Sequence, residues 1–134
     1  MNPKDKISEY IENLDLNYLV EQACSEFYPL PRWNLAQAQQ GLKLYKRFLW
    51  LLSKYPDKQL VPTKEIDEFW HNHILHTQRY TKDCEALCGH YIHHVPGNPA
   101  DHKELDLISQ NFKITQELYF EEFGEPLLTF KSMK

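Results

Sequence analysis

Apolar residues recur at spacings of three and four through most of the chain, and no stretch alternates convincingly at period two. The pattern predicts helices and no strands. A short helix over 5–13 places Ile7, Tyr10, Ile11 and Leu14 on one side, and Asp15 serves as cap to a second helix carrying Leu16, Leu19, Val20, Ala23 and Phe27. Cys24 falls among these apolar positions and reads as a buried, unreactive thiol. Residues 28–33 hold two prolines and form a turn. Asn34 then caps the clearest helix, whose stripe is Leu35, Ala38, Leu42, Tyr45, Phe48, Leu49 and Leu52. Gly41 interrupts it, marking either close approach of a neighbouring backbone or a tolerated cost of about 1 kcal/mol. This helix stops before Pro56, because a residue preceding proline disfavours the α region.

Thr63 caps the next helix, with Glu65 in a first turn that favours negative charge. The periodicity predicts one continuous helix from there to about Leu87, ending at Gly89. The segment 90–101 is a loop, broken by Pro96, Gly97 and Pro99. A last helix from about Asp101 carries Leu105, Ile108, Phe112, Thr115, Leu118, Tyr119 and Phe123, and Gly124 and Pro126 close it. The tail 127–134 either packs Leu127, Leu128 and Phe130 or is loose. The fold class is therefore all-α: a compact bundle of four to five helices with a His-rich loop between the last two long helices.

Composition narrows the function classes. A chain of 134 residues is one domain by size, and with 42% hydrophobic residues it buries a core without needing disulfides or metal to fold. A net charge of −4 and no run of four Lys/Arg argue against a sequence-independent hold on nucleic acid. No segment approaches the roughly 20 apolar residues of a membrane span, and the polar N-terminus has no signal-peptide character. Three cysteines, an odd number, suit a reducing compartment, with the cytoplasm as default.

The unusual residues concentrate in 61–96, which holds six of the seven histidines and two of the three cysteines. On a regular helix, Ile66, Phe69, Trp70, His73, Thr77, Tyr80, Cys84 and Leu87 share one broad core face. His73 with His76, and Asp67 with His71, are spaced so that each pair meets across one turn and could share an ion. His71 and His73, two residues apart, diverge by about 160° on a helix turning 100° per residue and cannot share one. Cys84, Cys88, His90 and His93 could close a tetrahedral site, but its spacing matches no common zinc pattern and Cys84 is a core position. Each histidine taken alone is more simply a hydrogen-bonded structural residue. There is no Gly-rich phosphate loop, no GxSxG and no HExxH.

The stretch VPTKEIDEFWHNHIL, with Tyr80, Asp83-Cys84 and the downstream His93-His94-Val95-Pro96, resembles the glycine-rich domain-containing-protein-like family. The signature falls on Pro62, Thr63, Asp67, Trp70, His71, His73, Tyr80, Asp83 and Cys84. The likeness extends over roughly residues 15–128, in the manner of the short bacterial members. This chain departs from the pattern at His76, where the family tends to Asp or Asn, and at Cys88-Gly89, which often reads Phe-Gly. Those departures weigh against His76 and Cys88 as ligands and toward Asp67, His71, His73, His93 and His94. The resemblance implies no reaction. The larger relatives' glycine-rich tail has no counterpart in a chain with four glycines, so its role does not carry over.

Two functions are expected from these residues. In the first, the domain binds a divalent transition metal, zinc or iron foremost, through His71 or His73 and His93 or His94. Asp67 then serves as ligand or orienter. A three-ligand site would leave a position for metal-activated water. In the second, the histidines and Trp70 build a polar-aromatic groove for a protein partner, with no ion. The sequence leaves the oligomeric state open.

Overall fold

The computed structural model describes residues 6–25, 33–95 and 100–128. Six helices occur among them: α1 (Lys6–Asn13), α2 (Asn17–Cys24), α3 (Leu35–Lys54), α4 (Lys64–Leu75), α5 (Thr77–Cys88) and α6 (His102–Phe123). There is no strand among the described residues, and the all-α reading holds. None of the helices is long and apolar enough to cross a membrane. Phe27, the expected turn at 28–32, the prolines at 96 and 99 and the tail beyond Leu128 lie outside the described residues.

Helix α3 is the hub, packing against α1, α2, α4, α5 and α6. Its start is fixed locally: the Asn34 side chain accepts from the Gln37 amide, and the Gln37 side chain accepts from the Asn34 amide. This reciprocal capping satisfies two amides that have no partner within the helix. From there Ala38, Tyr45, Phe48 and Leu49 run buried through the centre, while Leu35 at the first turn is exposed. Helix α2 begins one residue later than its apolar spacing suggests. Leu16 is its N-cap, and the Asp15 carboxylate accepts from the Asn17 amide. Cys24 is half-buried.

The largest departure from the periodicity lies between Thr63 and Gly89. The single helix expected there is two, broken at His76, which has φ −87° and ψ 71°. Neither glycine nor proline causes the break. It lets both halves of the segment bury against the hub: Ile66, Phe69, Trp70 and His73 from α4, and Tyr80, Asp83, Cys84 and Leu87 from α5. The His76 side chain is held in turn by Gln22 of α2 and by an edge-on contact with the Tyr18 ring. Thr77, which the straight helix would place in the core, is exposed. The ends follow the expected chemistry, with Thr63 accepting from the Ile66 amide and Gly89 at φ 77° closing α5.

Helix α6 buries only Thr115 and Tyr119 fully. Its capping residue Asp101 accepts from the amides of Lys103 and Glu104. Leu105, expected in its core stripe, is exposed, as is Leu107. The first turns of α6 thus stand clear of the bundle and form one wall of a cleft.

Candidate functional site

The break at His76 creates a buried polar chain. The His73 ring, fully enclosed, has Nε2 2.8 Å from an Asp83 oxygen and Nδ1 2.7 Å from the Tyr45 hydroxyl. The other Asp83 oxygen accepts from the Tyr10 hydroxyl at 2.7 Å. One assignment of protons satisfies every member. His73 donates from Nε2–H to the carboxylate, and Tyr45 donates to Nδ1. Burial, together with Asp83, pushes Tyr10 up to about 12, and burial pushes Tyr45 well above the ordinary phenol value. Both tyrosines thus remain donors at neutral pH. The chain ties α1, α3, α4 and α5 together and has no spare valence on the imidazole. Its chemistry is that of a satisfied core network.

A second network reaches the surface. Trp70 Nε1 donates to the Tyr80 hydroxyl at 2.8 Å, which in turn donates to the Ile92 carbonyl at 2.5 Å. The Ile92 amide bonds toward the Cys84 thiol, opposing the rise that burial imposes on that group. Beyond Ile92, the His94 ring lies over Trp70 with centroids 4.2 Å apart, and its Nε2 makes a short hydrogen bond to Asp67. These contacts hold the segment 90–95 against α4 and α5. Among the described residues, His94 Nδ1 has no hydrogen-bond partner.

The segment forms one wall of a cleft of about 750 Å³. The opposite walls are the connection 58–63 before α4 and the first turns of α6, including Leu107, Ile108 and Asn111. The Thr115 hydroxyl fixes the connection by accepting from the Val61 amide at 2.9 Å. The lining mixes Leu60, Val61 and Ile92 with Trp70, Tyr91 and three imidazoles, those of His90, His93 and His94.

The five residues singled out as ligands therefore separate. Asp67 and His94 meet at the cleft. His93, exposed, sits against the Tyr91 ring on the same wall. His73 is committed to Tyr45 and Asp83 in the core, and His71 is exposed on α4. Asp67 pairs with His94 rather than with His71, and His76 with Gln22 rather than with His73. No three His, Cys, Asp or Glu side chains converge as a metal-ion group among the described residues. Asp83, Tyr45 and Tyr10 were not named as site residues. Nothing in the sequence pairs Asp83 with His73, because a straight helix would hold them far apart.

The fold and this cleft define a small all-α domain with a buried Tyr–His–Asp network and an imidazole-lined surface site. The chain belongs to the UCP032817-like family, whose match spans residues 6–115. It is similar to two curated Arabidopsis thaliana proteins. Glycine-rich domain-containing protein 2 is 27% identical over 117 residues, covering 82% of this chain and 15% of that protein. Glycine-rich domain-containing protein 1 is 26% identical over 131 residues, covering 92% of this chain and 16% of that protein. The chain thus spans about a sixth of the length of these relatives. No solved structure matches.

Proposed function

We propose that this domain is a non-catalytic binding module whose cleft receives a segment of a partner protein. The observation that carries this reading is the cleft itself. Its apolar floor, aromatic and imidazole rim and buttressed wall supply both the buried area and the oriented polar groups that recognition of a polypeptide needs. Leu107 is half exposed on that surface and costs little to change. The test is to pan short random peptides displayed on phage against the full chain and measure affinities of the enriched sequences by calorimetry. Binding that weakens about tenfold or more in Leu107→Asp supports the reading. No enrichment, or binding indifferent to this variant, overturns it.

A divalent transition metal is the second reading, favoured by one feature. Asp67 holds His94 Nε2 and leaves Nδ1 without a partner, the arrangement in which a carboxylate orients an imidazole toward an ion. His93 on the same wall is the nearest further candidate in sequence. Zinc or iron would suit imidazole nitrogen. Elemental analysis of untagged protein decides it. A near-stoichiometric ion lost in His94→Ala supports this reading. No ion, before or after titration with zinc and ferrous salts, removes it.

A further inference from the structure

The backbone of residues 91–95 shows how a partner would be held. Tyr91, His93 and Val95 are exposed while Ile92 and His94 turn inward, the period-two alternation of an extended chain. The backbone groups of Ile92 are both used by α5: its carbonyl accepts from Tyr80, and its amide bonds toward Cys84. In an extended chain the amide and carbonyl of adjacent residues point to opposite sides. Those of His93 therefore face away from α5, and among the described residues they make no backbone hydrogen bond. A donor and an acceptor on one residue, presented side by side on a pinned segment, are the unit to which an antiparallel strand pairs.

Charge narrows the occupant. Lys58 and Lys64 both line the cleft and form no ion pair among the described residues, whereas Asp67 is already paired with His94. In a chain of net charge −4 this leaves cationic groups where a partner would lie. Resting on the binding-module reading, we infer that the cleft takes an extended, acidic segment of a partner protein. The segment adds as a strand to His93, sets alternate apolar side chains on the Leu60, Ile92 and Leu107 floor, and directs carboxylates to Lys58 and Lys64.

The experiment uses the full chain and peptides enriched by panning. On binding, the His93 amide should gain at least about tenfold protection from hydrogen exchange by NMR. N-methylation of the peptide, one position at a time, should cost about tenfold in affinity at the paired residue and little at its neighbours. Lys58→Glu and Lys64→Glu should each weaken binding roughly threefold at low salt, with the difference fading as salt rises. Peptides that bind and shift Leu107 resonances, but leave the His93 amide unprotected and give a flat N-methyl profile, overturn strand addition while the module stands. Enriched peptides without acidic residues, unaffected by the lysine variants, overturn the charge assignment. Failure to enrich any peptide overturns both this inference and the module.

Discussion

His73 Nε2 and an Asp83 oxygen lie 2.8 Å apart, although ten residues separate them within what the periodicity reads as one helix. Ten residues of straight helix rise about 15 Å. The contact exists because the chain turns back at His76, and the same turn brings Trp70 Nε1 to the Tyr80 hydroxyl, again ten residues on. Two parallel bonds of identical spacing thus fasten α5 to α4.

Removing one end of the first bond should be expensive. His73→Ala leaves a buried carboxylate with only Tyr10 and strips the Tyr45 hydroxyl of its partner. The expected loss is about 3–5 kcal/mol in urea unfolding. In a cycle of His73→Ala, Asp83→Ala and the double variant, the losses should be non-additive by about 1–3 kcal/mol. Additive losses would mean that the two side chains stabilise the fold separately.

Much of the fold was legible because its determinants are local. Asn34, Thr63, Asp101, Gly89 and Gly124 each act within one helical turn, and each marks a helix end. The break at His76 was not legible. Residues 74–78 carry no helix breaker, and what turns the chain is the burial of both halves against α3, a tertiary demand that overrides local propensity. The error passes directly to the site. On a straight helix His73 looks toward His76 and Asp67 toward His71, whereas the true partners, Asp83 and His94, arrive from beyond the turn. Asp67 and His94 were still both on the candidate list, since a carboxylate and an imidazole in a polar, turn-rich region attract notice without any geometry.

The wall of the cleft before α4 depends on one hydroxyl. Thr115, fully enclosed, accepts from the Val61 amide and donates to the Asn111 carbonyl. Thr115→Val keeps the shape and orphans that amide, so stability should fall by about 1–3 kcal/mol. Amide exchange should quicken at Val61 more than in α3. A loss spread evenly over all amides would show that the hydroxyl supports the fold and not this wall.

His94 should matter locally. His94→Ala removes the stack on Trp70 and the bond to Asp67, both part-exposed, while the Tyr80 and Cys84 bonds to Ile92 remain. Global stability should drop by only about 1 kcal/mol, yet exchange at residues 93–95 should rise about tenfold or more. Tryptophan emission should shift as the Trp70 face gains water. A variant that unfolds with a several-fold larger penalty would place His94 in the core network instead of on the cleft wall.

Alkaline pH should weaken the fold through two phenols. Burial first, then the bond to Asp83, raises Tyr10 to about 12, and the bond to Glu122, with burial, raises Tyr55 to about 12. A group whose folded value lies above its unfolded one contributes stability in its protonated form. That contribution is complete below the ordinary value of 10.0 and is lost as pH rises through about 12. The urea midpoint should therefore decline across this window. Tyr10→Phe and Tyr55→Phe, weaker at neutral pH because each deletes a hydrogen bond, should show a shallower decline, since each has one fewer phenol to ionise. Measured midpoints that fall with equal steepness in parent and variants would assign the alkaline loss to lysines and remove these two tyrosines from it.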